Sequence, residues 1–315
     1  MIKPMRVFLI ACFSFLLVAC GDDRPDRLQA NINTADYLIE NLGTNLDTQR
    51  IRNAIILQQY ATLLKQKKPD LSPLLTELSK DASREGPMFR SLADRLSTLK
   101  TRPEILGDIE AQLYESETLI EASDPTLFND ALSDPVNVIA DMSDGELARV
   151  NAISQARSLQ ANGADDNGAG SQLVGNPGYG QWQTNSSGFS FWQWYAAYTL
   201  FSAISPRQIG YDRWSSRRDY SYYNDVGRNR YTSPQQKKSQ DDLAQRTKKK
   251  FGNKGGFTSP YAKSKTGASR MSTASKQAQK APSFSGKSSY SKQKASSSSF
   301  RNSKSTTSRG VSRGK

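Results

Sequence analysis

Histidine is absent from this chain of 315 residues, and its two cysteines, Cys12 and Cys20, both lie within the first 20 positions. A chain without histidine cannot form a Ser-His-Asp or Cys-His nucleophile system. It also has no imidazole with which to bind zinc. The sequence therefore excludes several large classes of hydrolase and zinc protein before any motif is considered.

The N-terminal segment has the layout of a secretory signal. Lys3 and Arg6 precede an apolar run over residues 7–19, which is shorter than the ~20 residues of a membrane-spanning helix. The run leads into Leu-Val-Ala-Cys at residues 17–20, followed by Gly21. This pattern resembles the lipobox of bacterial lipoproteins: an aliphatic residue, two small or permissive residues and a cysteine. The alternatives are an ordinary signal peptide or a buried apolar helix with an unrelated cysteine.

The lipobox resemblance implies that a signal peptidase cuts the chain before Cys20, whose thiol receives a diacylglycerol. The mature protein is then expected to be anchored to a membrane of the cell envelope, to face the periplasm and to have no free thiol. In enterobacterial lipoproteins, an aspartate directly after the cysteine favours the inner membrane. Gly21 holds that position here, so the outer membrane is favoured over the inner membrane.

The next region shows the periodicity of α-helices. Leu28, Ile32, Ala35, Ile39 and Leu42 recur at steps of three and four residues, which places them on one face of a helix. Most of the following apolar residues, up to about position 159, recur at similar steps. The region is long enough to bury an adequate core without disulfides.

Turn signals divide this region into six to eight short helices. Several prolines fit the first turn of a helix, where the missing N–H costs nothing. Residues Thr101 and Glu104 are predicted to form a capping box at a helix start. Because no convincing strand pattern interrupts the helices, the sequence predicts an all-α fold. A helical bundle is favoured over a helical solenoid, since no clean repeat period is visible.

Composition divides the whole chain into six consecutive parts. The linker is assigned from its content of Gly, Asn, Asp and Ser, and the tail from low hydrophobicity with high net charge. The predicted parts are a signal peptide (1–19), a lipidated tether (20–25), a helical domain (26–159), a flexible linker (160–187), an aromatic and arginine-rich segment (188–234) and a disordered basic tail (235–315).

Aromatic residues concentrate between Tyr179 and Tyr231, a stretch that holds 15 aromatics in 53 residues, including all four tryptophans. Tryptophan, tyrosine and arginine dominate the energetics of interfaces, so this stretch is a candidate docking surface. Contact with the interfacial region of a membrane and ordinary packing against the helical core are the alternatives. The candidate interaction residues are Trp192, Trp194, Tyr195, Arg213, Trp214, Arg217 and Arg218.

Charge is divided unevenly along the chain. Residues 236–315 hold 20 Lys or Arg and two acidic residues, whereas the preceding 235 residues hold 23 basic and 28 acidic residues. Such a tail is attracted to anionic surfaces, at ~1 kcal/mol per basic residue near an acidic membrane. The expected partners are lipopolysaccharide, anionic lipid and cell-wall polymers, and no specific nucleic acid is expected. The alternative is a solvated tail with no specific partner.

These features predict a membrane-anchored envelope lipoprotein with a structural or interaction role. The helical domain is expected to dock an envelope protein, and the basic tail to bind anionic envelope polymers or lipid. The alternative is an envelope enzyme that uses carboxylates of the helical domain, since glycosidase-type chemistry needs two carboxylates held across a cleft. No catalytic residue, metal ligand or cofactor is predicted.

Replacement of Cys20 tests the lipoprotein prediction. We expect Cys20→Ser to leave an unprocessed precursor without lipid, because the serine hydroxyl cannot take the place of the thiol in the modification. Metabolic labelling with a radioactive fatty acid and electrophoretic mobility measure both effects. Cys12→Ser is the matched control and should mature normally. Normal maturation and membrane retention of the Cys20 variant would refute the prediction.

Overall fold

The computed structural model describes residues 22–150, 170–188, 190–195, 209–211, 214 and 221–251. Within these residues the chain is mostly helical, as predicted, and it also contains a small antiparallel sheet. The predicted lipidation site, Cys20, lies outside the described residues, as do the candidate residues Arg213, Arg217 and Arg218 and the sequence after residue 251.

Eight α-helices, two strands and several short turns of helix make up the described part of the chain. The α-helices are α1 (Arg24–Asp47), α2 (Arg52–Lys67), α3 (Ser72–Ser79), α4 (Pro87–Thr101), α5 (Ile109–Ala122), α6 (Pro125–Ala131), α7 (Ser133–Asp141) and α8 (Pro234–Phe251). The strands are β1 (Gly180–Thr184) and β2 (Ser190–Trp194), and a π-helical turn spans Tyr223–Gly227. Four 3₁₀ turns lie at Pro69–Leu71, Lys80–Ala82, Pro103–Leu106 and Ser171–Leu173.

The predicted apolar face of α1 is confirmed. Leu28, Ile32, Ala35, Ile39 and Leu42 are each at most 9% exposed, and α1 packs against α4 and α5. The neighbouring helix, α2, packs against α3 and α7. The first seven helices thus contribute to one apolar core in which leucine is the commonest residue.

One predicted helix start is displaced along the chain. Thr101 does not begin a helix in a capping box with Glu104 but ends α4. The cause is the proline two residues later, which disfavours helical backbone in the residue before it. The next α-helix, α5, is capped instead by Asp108, whose carboxylate accepts from the Ala111 N–H at 2.9 Å.

A two-stranded antiparallel sheet departs from the predicted all-α class. β1 pairs with β2 so that Gly180 lies opposite Trp194, and Trp182 lies opposite Trp192. Both strands alternate glutamine with tryptophan, Gln-Trp-Gln in β1 and Trp-Gln-Trp in β2. This is the two-residue period of a strand, and it lies where composition predicts the linker and the aromatic segment.

Part of the predicted flexible linker (160–187) is built into the fold. Leu173 and Val174, an aliphatic pair within a stretch rich in Gly, Asn and Ser, are both fully buried. The Gln172 side chain donates to the Asp141 carboxylate at 2.6 Å. Two buried side chains and a hydrogen bond to α7 therefore hold a segment whose average composition is that of a linker.

The region predicted as a disordered tail begins with a helix. α8 has a buried face formed by Gln240, Leu243 and Thr247 at helical spacing, and this contact supplies the packing that a highly charged sequence lacks by itself. The helix starts with a capping box. The Gln236 N–H donates to the Ser233 hydroxyl at 3.2 Å, and the Gln236 side chain accepts from the Ser233 N–H at 3.0 Å.

Asp134 connects the helical region to the C-terminal part of the chain. Its carboxylate is 2% exposed and accepts from the Ser221 hydroxyl at 3.1 Å. It also accepts from the N–H groups of Tyr222 and Tyr223 at 2.7 and 3.0 Å. Because both tyrosines reach into the same core as the leucines of the first helices, the two regions share one core.

Burial raises the pKa of Asp134 to about 7, although the hydrogen bonds from Tyr223, Tyr222 and Ser221 act in the opposite direction. The folded protein therefore binds a proton at this carboxyl more tightly than the unfolded chain does. Because the folded and unfolded states bind this proton with different affinity, the stability of the protein depends on pH. The stability that this group contributes is fully present below about pH 4 and is lost as the pH rises through about 7.

The substitution Asp134→Asn should remove this pH dependence. In the wild-type protein, we expect the free energy of unfolding to fall by up to about 4 kcal/mol between about pH 4 and about pH 8. The variant should lack that fall. It should also be less stable at low pH by about 1–3 kcal/mol, because the amide NH₂ faces N–H donors. Chemical denaturation followed by circular dichroism measures both effects.

Asp70→Asn, at an exposed carboxylate, is the matched control and should keep the wild-type pH dependence. A pH dependence in Asp134→Asn as steep as that of the control would contradict the assignment.

Candidate binding groove

Three residues predicted from the sequence lie in one aromatic cluster. Trp192, Trp194 and Trp214 pack together with Trp182 and Tyr211. The rings of Trp192 and Trp194 lie edge to face with their centroids 6.0 Å apart, a geometry that stabilises aromatic pairs. The structure therefore brings these three residues together, although they are separated by up to 22 positions in the sequence.

Trp182 lies at the centre of this aromatic cluster. Its ring centroid is 4.7 Å from that of Tyr211, 4.9 Å from that of Trp214 and 5.2 Å from that of Trp192. Leu243 of α8 packs in the same cluster. The aromatic side chains consequently join the sheet to the last helix.

The predicted site residues differ strongly in exposure. Trp214 is 0% exposed and Trp192 is 3% exposed, so their rings form interior packing. Tyr195 is 43% exposed, and its N–H donates to the Tyr179 carbonyl at 3.1 Å, just after the end of β2. Partial burial raises the pKa of Tyr195 above its ordinary value.

An uncharged pocket of about 230 Å³ lies beside the aromatic cluster. Its lining contains no charged side chain and includes Gln181, Trp182, Trp192, Tyr195, Gln236 and Gln240. The indole N–H of Trp192 is buried and has no hydrogen-bond acceptor among the described residues. The pocket thus combines aromatic surface with side-chain amides.

A larger pocket of about 560 Å³ adjoins the first one and shares Pro177, Tyr195 and Gln236 with it. Its walls carry charges of both signs, from Lys80, Arg90 and Arg95 and from Glu77, Glu85, Asp94 and Glu115. We call these two adjoining pockets together the groove. We refer to the smaller pocket as its aromatic end and to the larger pocket as its charged end.

A buried ion pair lines the charged end of the groove. Arg95 and Glu115 are 6% and 0% exposed, and two hydrogen bonds of 2.7 and 2.9 Å join them. Arg95 also donates to the Arg230 carbonyl at 2.8 Å. This side chain therefore ties α4 to α5 and to the chain just before α8, which together surround the charged end.

Gly180 permits a close approach between the two strands and the indole of Trp192. A Cβ at this position would lie 2.5 Å from the Gln193 carbonyl oxygen and 2.8 Å from the indole ring. Real Cβ atoms do not come so close to other heavy atoms, so a larger residue would displace Trp192. The shape of the aromatic end thus depends on this glycine.

Several groove residues were not among those predicted. Gln181 and Trp182 lie in the range predicted as a linker, and Gln236 lies in the range predicted as a disordered tail. The alternation of glutamine and tryptophan is a strand signal that could have located the first two. Arg95 and Glu115 carried no signal, because a buried ion pair between two helices depends on their packing.

Comparison with known proteins gives no match among protein-family models, curated proteins or solved structures. Over the residues that the structure describes, no helix combines the length and apolar character needed to cross a bilayer. Within the same residues, no group of three or more acidic or sulfur- or imidazole-bearing side chains is placed to hold a metal ion.

The substitution Gly180→Ala should displace Trp192 and destabilise the protein. The added methyl group overpacks the strand pair, and such changes cost about 1–3 kcal/mol. Because Trp192 contacts Trp182, the tryptophan fluorescence spectrum should change as well. Thr184→Ala, at the exposed end of the same strand, is the control and should stay within about 0.5 kcal/mol of wild type. Identical behaviour of the two variants would refute this account of Gly180.

Proposed function

We propose that this chain is a lipid-anchored protein of the bacterial cell envelope with a structural or interaction role. In this proposal its basic C-terminal part binds anionic envelope polymers or lipid, and its folded part docks an envelope partner. The observation that carries the proposal is the way in which the basic region begins, on a helix that is packed on one face and charged on the other.

One face of α8 is bound to the rest of the fold. The Gln240 side chain donates to the Gly175 carbonyl at 2.9 Å, and Leu243 packs in the aromatic cluster. The solvent side of the helix exposes Lys238, Arg246, Lys248, Lys249 and Lys250. The basic region therefore begins at a defined place on the folded surface.

The sequence after α8 continues the same charge. Beyond residue 251 it adds 14 Lys or Arg and no acidic residue. Each basic residue near an acidic membrane contributes ~1 kcal/mol, and neutralising phosphates also releases counterions. This large excess of positive charge supports polyanion binding as the role of the C-terminal part.

The start of α1 supports a position next to the membrane. The helix begins at Arg24, four residues after Cys20, and four extended residues span at most ~14 Å. A lipid on Cys20 would hold the folded part within this distance of the headgroups. Gly21, rather than aspartate, follows the cysteine and favours the outer membrane within the proposal.

The alternative function, an envelope enzyme that uses carboxylates of the helical domain, has weaker support. Glu115 is a buried carboxylate that lines the groove, and both of its oxygens accept from Arg95. This bidentate arrangement is typical of a structural ion pair. The groove therefore favours binding over acid–base chemistry, and an interaction role is the one we propose.

Binding of the lipid-free chain to polyanions tests the proposal. The chain from residue 21 to residue 315 is compared with a chain that ends at Phe251, which keeps Leu243 and the other packing residues of α8. We expect the shorter chain to bind anionic vesicles, lipopolysaccharide and anionic cell-wall polymer at least about tenfold more weakly, because it lacks 14 basic residues. The affinity of the longer chain should fall steeply with salt.

A third chain keeps the full length but carries glutamine at the 14 basic positions after residue 251. It separates charge from length and should behave like the shortened chain. Duplex DNA is included as a polyanion for which no specific binding is expected. Equal binding by all three chains would overturn the proposed role of the basic region.

A further inference from the structure

We propose that the groove binds a fragment of the bacterial cell wall in which an N-acetylated sugar is joined to a short peptide. The sugar occupies the aromatic end, and the peptide, which carries carboxylates and an amine, occupies the charged end. This inference rests on the proposed envelope location. It concerns a different part of the molecule from the basic region, and a different class of ligand.

The aromatic end has the chemistry of a site for a neutral sugar. The faces of aromatic rings are electron-rich and suit the weakly positive C–H groups on one side of a pyranose ring. Side-chain amides both donate and accept hydrogen bonds, as sugar hydroxyls and acetamido groups do. The volume of about 230 Å³ is below the ~300–1,000 Å³ of sites for drug-sized ligands, so it suits a single ring.

The ring surface that a sugar could contact comes from two residues of the pocket lining. Tyr195 is 43% exposed and Trp182 is half-buried. Trp192 is 3% exposed, so it supports the wall of the pocket from behind.

The charged end offers both signs of charge to a ligand. Arg90 and Asp94 are exposed on its wall, and neither forms an ion pair with another described residue. Lys80, by contrast, is held by Glu77 at 2.7 Å. Arg90 can therefore bind a peptide carboxylate, and Asp94 can bind an amine, without breaking an existing pair.

The balance of charge argues against a polyanion in the groove. Three basic and four acidic side chains line the charged end, and the aromatic end has no charge. A phosphate polymer would meet as much repulsion as attraction there. The strongly basic C-terminal region is the better site for such a polymer, so the two regions select different ligands.

Tyr195 links the two ends, because it lines both of them. Its ring is 43% exposed and lies where the sugar would continue into the peptide. A ligand that joins both chemistries covalently should consequently bind more tightly than either part alone. This difference distinguishes the proposed ligand from a simple oligosaccharide and from a free peptide.

The experiment uses the lipid-free chain from residue 21 to residue 315, at a salt concentration of about 0.3 M to screen the basic region. The probes are a disaccharide–tripeptide released from peptidoglycan, the N-acetylglucosamine trimer and the tripeptide alone. Titration calorimetry and tryptophan fluorescence report binding. We expect the conjugate to bind at least about tenfold more tightly than either other probe, since linked contacts act together.

Two exposed groove residues are replaced separately. Tyr195→Ala should weaken binding of the conjugate at least about fivefold, as loss of an aromatic anchor predicts. Arg90→Ala should weaken binding of the conjugate and of the tripeptide but not of the sugar trimer. Tyr37→Ala and Arg50→Ala replace exposed residues outside the groove and should change nothing.

Absence of binding by the conjugate at millimolar concentration would overturn the inference, as would equal effects of the groove and control variants. Tighter binding of lipopolysaccharide than of the conjugate at this salt, lost in Tyr195→Ala, would also overturn it. None of these measurements depends on lipidation or on the basic region. Failure of this inference is therefore distinguishable from failure of the proposed function.

Discussion

Much of the remaining architecture depends on the hydrogen bonds and the ion pair that the buried side chain of Arg95 forms. It neutralises Glu115 within the core and donates to the Arg230 carbonyl, so one guanidinium satisfies partners from two distant parts of the chain. Without it, a carboxylate that is 0% exposed would be left without compensation, a costly arrangement. The helices and the C-terminal segment are held together at the same place where the groove is formed.

Charge is sorted by region in this molecule. The folded part carries both signs, largely in pairs such as Arg84 with Glu40 and Lys100 with Asp36, and exposed pairs of this kind add little stability. From α8 onward, 20 of the 22 charged residues are basic. Long-range attraction to anions is therefore concentrated in one region, while recognition by shape and hydrogen bonding is left to the folded part.

The helical region was predictable because its signals are local. The apolar face from Leu28 to Leu42 follows from residue spacing alone, and it is buried as expected. The sheet and α8 were missed because their stability comes from contacts that are remote in sequence. Leu243 is buried in the cluster that contains Trp214 and Trp182, and the sequence around it gives no sign of this contact. Leu173 and Val174 lie in a stretch whose average composition is typical of a linker.

The walls of the groove come from three separate stretches of chain: α3 to α5, the region around β1 and β2, and the start of α8. Any ligand that contacts all three would bind the assembled fold and not a form in which α8 has come away. Its binding would stabilise the assembled form in proportion to the logarithm of its concentration. Occupancy of the groove would thus keep the last helix packed against the rest of the fold. It would also hold the start of the basic region at its place on the folded surface.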